Sequence, residues 1–214
     1  MLVRDVPFER FLKLSERFGF PINETAEEKF KLYHSLLLEW GKKINLYSQN
    51  DRNRLLSYHF LDSLLALKFL PETGDLADIG SGAGFPGIPI KIMRPNLNLF
   101  LFETRKKKAI FLSYVIKSLS LPESTVIDKR VEDWEGKRFD IFTIRLLGKI
   151  KEVIPLIAHL RKEKSLVIFY KGREWEREIE EAEGVLKKFN LTFTGLHTFH
   201  LSHLKLTRKI LLFQ

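Results

Sequence analysis

A chain of 214 residues that is 44% hydrophobic and 29% charged is long and apolar enough to bury a core without covalent staples. It contains no cysteine, which excludes a disulfide framework, a cysteine-based zinc or iron–sulfur site and a cysteine nucleophile, and points to the cytosol. Its 36 Lys and Arg outnumber 27 Asp and Glu to leave a net charge of +9, which suits a polyanionic partner, most simply nucleic acid.

The N-terminus, Met1-Leu2-Val3-Arg4-Asp5, has no apolar signal core. The longest uncharged run, residues 189–204, holds three His and three Thr and is too short and polar to cross a bilayer. No membrane segment is expected.

The first 72 residues read as a helical extension. Phe8, Phe11, Leu12, Ser15 and Phe18 follow helical spacing, and Gly19 with Pro21 ends that segment. Thr25 and Glu28 have the spacing of a capping box. Phe30, Tyr33, Leu37, Trp40 and Ile44 then form an apolar stripe on one helix face. A third helix is predicted over 52–69, closed by Pro71 and Gly74.

From 73 to 214 short apolar runs alternate with helical stretches. Strands are predicted at 75–79, 97–102, 125–128, 139–144, 165–170, 192–199 and 207–213, and helices at 87–94, 106–119, 149–160 and 174–189. That order specifies an α/β domain with a mostly parallel sheet covered on both faces. No helix separates the last two strands, so they should pair antiparallel at one edge. Seven strands ending in such a hairpin are the layout of Rossmann-like methyltransferases.

The first predicted strand runs into Asp78-Ile79-Gly80-Ser81-Gly82-Ala83-Gly84-Phe85-Pro86-Gly87. Glycines at 80, 82 and 84 permit a tight turn and close approach of backbone to ligand. A turn between the first strand and first helix is the nucleotide position of open α/β sheets. The G-x-G-x-G spacing departs from the dinucleotide pattern and favours S-adenosylmethionine over NAD. Glu103, ending the second strand, is placed to accept hydrogen bonds from both ribose hydroxyls. Thr104 and Arg105 follow it directly and join the candidate cofactor contacts.

Arg130, Val131 and Glu132 follow the third strand, where side chains flank an adenine. Arg145 follows the fourth strand and Lys171 the fifth, both at carboxyl ends where such sheets bind ligands. Basic charge gathers in two segments: 91–117 holds seven cations and one acid, and 145–173 holds eight and two. Arg105, Lys106, Lys107 and Lys108 open a helix where the macrodipole disfavours cations, so a nearby anion, an RNA phosphate, is expected. Lys106, Lys107, Arg130, Lys171 and Arg208 are the candidate RNA contacts. His59 and Asp62 share a helix face and suggest a structural hydrogen bond. His197, His200 and His203 would alternate faces of a strand with no carboxylate among them, so no metal site is expected.

His59-Phe60-Leu61-Asp62-Ser63, followed by the stretch from Asp78 to Pro89, resembles the RsmG (GidB) family of bacterial methyltransferases. The resemblance covers most of the chain: Trp40, Asn45, Leu46, Phe111, Leu112 and Gly172 fall in the family's order beside the residues already named. It implies methyl transfer from S-adenosylmethionine, yielding S-adenosylhomocysteine, to guanine N7 at position 527 of 16S rRNA. It further implies a small-subunit partner and cofactor contacts at Gly80, Phe85, Glu103, Val131, Glu132 and Arg145. The chain departs from the family at Tyr47, where Thr is common, and at Leu146, where Ala often follows Arg. Guanine N7 carries a lone pair and no proton, so no general base is needed and Arg145 is assigned positioning alone. A monomer is expected. A different RNA, a protein or a small molecule is the nearest alternative substrate. A NAD-linked oxidoreductase would need a pyrophosphate loop and proton donor that are not evident, and a non-catalytic RNA-binding protein would not need the glycine loop and Glu103.

Overall fold

The structure, a computed structural model, describes residues 6–201 and 204–214. His203 and the first five residues lie outside them. Two helices come first, α1 (Phe8–Arg17) and α2 (Glu24–Trp40). The cap of α2 is Asn23, whose extended backbone lets its side chain accept the Ala26 amide at 2.9 Å. The expected capping box at Thr25 and Glu28 is replaced by this earlier cap.

The single helix predicted over 52–69 is instead a succession of turns. A 3-10 segment (Gln49–Arg54) passes into a wide π turn (Leu55–Phe60), one α turn (α3, Leu61–Leu64) and a second 3-10 turn (Leu65–Lys68). Periodicity misreads this stretch because nearly every side chain from 55 to 67 is buried, polar Ser57, His59, Asp62 and Ser63 included. The wide turn carries His59, and the α turn after it Asp62, into an interior charged cluster.

Seven strands follow: β1 (Gly74–Ile79), β2 (Leu97–Phe102), β3 (Ser124–Ile127), β4 (Phe139–Arg145), β5 (Arg161–Lys171), β6 (Phe193–Leu201) and β7 (Leu206–Phe213). The helices between them are α4 (Gly87–Met93), α5 (Lys106–Ser118), α6 (Ile150–Ile157) and α7 (Trp175–Lys188). The sheet order is β3-β2-β1-β4-β5-β7-β6. The first five strands run parallel, and β7 pairs antiparallel with both β5 and β6. The expected seven-stranded Rossmann-like architecture with an antiparallel edge hairpin is the one observed. β5 begins earlier than the apolar pattern marks, because its polar first residues still pair across a register shift in β4.

Alternation of side chains along the strands makes two cores. Leu76, Leu99, Leu101, Ile141 and Ile168 face one side, where Phe11, Phe30, Leu37, Phe60, Ile88 and Phe111 cover them. Ala77, Ile79, Phe142, Val167 and Phe169 face the other, against Val153, Ile154, Ala182 and Leu186 of α6 and α7. The N-terminal helices therefore share a core with the sheet. Buried polar contacts fix that docking: Tyr33 Oη donates to the Ala83 carbonyl at 2.6 Å and Tyr170 Oη to the Ser63 carbonyl at 2.9 Å. Among the described residues no helix is long and apolar enough to cross a membrane, and no group of three His, Cys, Asp or Glu is placed to hold a metal.

Candidate active site

A cavity of about 610 Å³ opens at the carboxyl ends of β1, β2 and β4. That volume lies within the usual range for small-molecule sites. The β1–α4 loop forms one wall. Asp78 anchors it: its carboxylate accepts from the Thr143 hydroxyl at 2.9 Å and the Gly87 amide at 3.2 Å. Complete burial raises the Asp78 carboxyl to about 6 against those bonds.

Glu103 stands where β2 ends. One carboxylate oxygen accepts from the Gly82 amide at 2.9 Å and the other from the Arg105 amide at 2.8 Å. Each oxygen keeps a lone pair for a further donor. Glu103 thus does a second task that its position in the sequence does not announce: it holds the glycine loop.

The three glycines divide. Gly82 lies at φ +59°, and a Cβ built there would meet nothing nearer than 3.8 Å, so the space above it is open to a ligand. Gly84, at φ +98°, is a correction to the expected cofactor set. Its Cβ would fall 2.6 Å from Ile88 and 2.7 Å from Tyr33 Oη, so Gly84 serves packing behind the loop and is absent from the cavity wall. Gly80, Gly82, Phe85, Thr104, Arg105, Val131, Glu132 and Arg145 all line the cavity. Arg130 lines it too, but its exposed guanidinium is paired to Glu132 at 3.1 Å.

Arg145 is buried and already engaged. It donates to Asp62 Oδ2 at 3.1 Å and to His59 Nδ1 at 2.7 Å. A guanidinium only donates, so His59 Nδ1 accepts and Nε2 carries the proton. Nε2 faces Asp51 Oδ2 at 3.6 Å, beyond hydrogen-bond reach. Burial pushes the imidazole below its ordinary pKa despite Asp51. The facing His59 ring, with Ser48 and Arg54, holds the Asp51 carboxyl well below the usual carboxylate range. Phe85 stacks on His59 at 5.0 Å and lies under Arg145 at 5.3 Å. The direct His59–Asp62 bond that the sequence suggests is replaced by two bonds through Arg145.

Two other expectations are corrected. Arg208 is buried, with Nε on Asp62 Oδ1 at 2.6 Å, and is no surface RNA contact. Lys171 Nζ donates to the Gly148 carbonyl and pairs with Glu178, each at 2.6 Å, with its side chain nearly covered. Lys106 and Lys107 are exposed on α5, as expected. Asp51, His59 and Lys108, which the sequence reading did not place in the cofactor site, also line the cavity. Lys108 was legible in principle, since it lies one helical turn beyond Arg105. Asp51 and His59 carry no such local signal.

The residues fit S-adenosylmethionine. An acidic acceptor at the end of β2, an open cradle above Gly82 and apolar Val131 in the cavity wall are the surfaces that its ribose, its methionine chain and its adenine need. Solved structures of similar fold include M. jannaschii TYW2 in complex with AdoMet, with TM-score 0.61 at 16% identity over 81% of this chain and 78% of that one. Another is a mutant of MtNAS in complex with S-adenosylmethionine, with TM-score 0.59 at 15% identity over 100% of this chain and 86% of that one. Among curated proteins, the ribosomal RNA small subunit methyltransferase G of Desulforamulus reducens is 34% identical over 87% of this chain and 81% of its own length. The one from Mycoplasma capricolum is 36% identical over 83% and 78%. The family described as rRNA small subunit methyltransferase G matches residues 26–207. With the whole cavity inside that span, and these identities over most of the chain, the protein belongs to the rRNA small subunit methyltransferase G family.

Proposed function

We propose that the chain transfers a methyl group from S-adenosylmethionine to N7 of a guanine, position 527 by the family resemblance, in 16S rRNA of the small ribosomal subunit. The observation that carries this reading is Glu103 and the Gly82 loop forming one wall of a cavity in a chain of this family. When bound, S-adenosylmethionine supplies a sulfonium methyl, an electrophile that a lone pair attacks in line with the thioether sulfur as leaving group.

The chain's residues bind and orient. Glu103 accepts from the ribose hydroxyls while keeping the loop in place. The open backbone surface at Gly82, its own amide held by Glu103, takes the methionine end, with Gly80 beside it, and Val131 and Glu132 flank the adenine. Thr104 and Arg105 close the ribose side. The N7–methyl bond forms as the sulfur–methyl bond breaks, and the positive charge passes to the base, leaving S-adenosylhomocysteine. No proton moves in that step, so the side chains need only align the base and exclude water. Arg145, clamped by Asp62 and His59, presents a fixed cation at the cavity wall to position the guanine or its phosphate. An rRNA substrate and a cysteine-free sequence support a cytoplasmic location.

The test is transfer of a labelled methyl group to unmodified 16S rRNA and to small subunits, followed by mapping of the modified base. Label on guanine N7 at one site supports the reading. Label on another base or atom, or on neither substrate, overturns it.

A further inference from the structure

The outer face of α5 is unlike the other charged helix faces of the molecule. On α7, Arg177 pairs with Glu181 at 3.0 Å, and Glu181 also takes Lys149 and Lys151. Residues 106–118 of α5 contain no acid at all. Arg105, Lys106, Lys107 and Lys117 are exposed there with no carboxylate in ion-pair distance among the described residues. Lys42, just beyond α2, is likewise exposed, while the acid nearest it in sequence, Glu39, is paired to Lys43 at 2.9 Å.

Between those cations lie apolar side chains that a solvated face would not carry. Ile110 is 60% exposed and Tyr114 47% exposed. Lys107, Ile110, Tyr114 and Lys117 repeat at three and four residues and so share one stripe of the helix. Trp40, at the end of α2, sets its ring 5.4 Å from Tyr114 and continues the stripe. The helix begins beside the cavity, which Arg105 and Lys108 line from a different face of its first turn. Its thirteen residues then carry the stripe about 20 Å away. Cations with interleaved apolar and aromatic groups are the chemistry that meets a single strand, phosphates on the charges and bases on the flat side chains.

We propose that this face of α5, with Trp40 and Lys42, is a docking track for single-stranded RNA beside the modified base. Bases pack on Ile110 and Tyr114, and Lys106, Lys107 and Lys117 meet phosphates. The track rests on the RNA reading above only for the identity of the polyanion. It is tested by binding, so it fails separately from methyl transfer.

Two variants divide the roles. Ile110→Ser/Tyr114→Ser removes the stacking surface, and Lys106→Gln/Lys107→Gln/Lys117→Gln removes the charges. The probes are a short unmodified single-stranded RNA containing the target guanine, naked 16S rRNA and small subunits, each titrated across a range of salt. The Ser variant should lose about 10- to 100-fold in RNA affinity with an unchanged salt slope. The Gln variant should lower the slope by about 2. Both should keep S-adenosylmethionine affinity within a few-fold and stay folded, the Gln variant with the wild-type melting temperature and the Ser variant, which loses the Tyr114–Trp40 contact, with a lower one. Wild-type RNA binding by the Ser variant on all three probes overturns the track. So does a Ser variant that fails only on small subunits, because the surface then meets a protein of the particle. A wild-type chain that binds these RNAs tightly yet methylates none of them overturns the functional reading alone.

Discussion

Glu103 accepts the Gly82 amide through one oxygen and the Arg105 amide through the other. The residue placed at the ribose is therefore also the clasp of the glycine loop. Glu103→Ala removes a charged acceptor from the ligand and orphans two amides of the protein. S-adenosylmethionine affinity should fall by about 2–4 kcal/mol, read by calorimetry. Melting temperature should fall as well, while the chain stays folded. Unchanged affinity would remove Glu103 from the site.

Gly82 and Gly84 should respond in opposite ways. At Gly82 the space is open and φ is +59°, so Gly82→Val places its bulk where the ligand lies and should abolish cofactor binding, with a modest strain cost of about 1–2 kcal/mol. At Gly84 a Cβ meets Ile88 and Tyr33, so Gly84→Ala should destabilise the fold by about 1–3 kcal/mol. Thermal unfolding with and without cofactor separates the two. A Gly82→Val structure with cofactor normally seated would contradict this assignment.

Asp62 accepts from Arg145 and Arg208 at once, with all three side chains buried. Asp62→Asn leaves two guanidinium groups without a counter-charge and should cost about 3–5 kcal/mol in chemical denaturation. Arg208→Gln should also lower stability while leaving the salt slope of RNA binding unchanged, the reverse of the lysine variants on α5. A stable Arg208→Gln protein with a reduced slope would return Arg208 to the RNA interface.

Asp78 gives a pH signature. Its native carboxyl is raised to about 6, while in the unfolded chain it titrates near the ordinary value of about 4. Between those values the native state holds the proton and the unfolded state has lost it. Stability from this group is thus lost as pH rises from about 4 to 6, and the loss persists above 6. Asp78→Asn has no charge to bury. Its stability relative to wild type should rise over that same window and then level off, as read from denaturant melts across pH. A flat difference would mean that Asp78 ionises normally.

His59 acts in the other direction. Burial holds its pKa below the ordinary value of about 6.5, so the unfolded chain binds the proton first as pH falls. Stability should decline below about pH 6.5, and His59→Gln should lack that decline. Identical pH curves for the two proteins would show that the imidazole is free to protonate in the fold.

Local pattern was enough for the strands, their alternation with helices and the glycine loop joined to an acid at the end of β2. Each of these is written within a few residues, as an apolar run, a turn chemistry or a fixed spacing, and backbone preferences read such patterns locally. The same holds for a basic α5, because helical spacing alone puts Lys107 and Lys117 on one face. Which charges remain free was settled by packing between distant segments. Arg145 and Asp62 are 83 positions apart, and Asp62 and Arg208 are 146 apart. Nothing local distinguishes buried Arg208 from exposed Lys107, since a cation's role depends on whether the fold brings it a carboxylate and excludes water. The irregular turns over 55–67 were hidden for the same reason. A segment buried on every side has no polar face to give it a period, and the sheet it packs against set its shape.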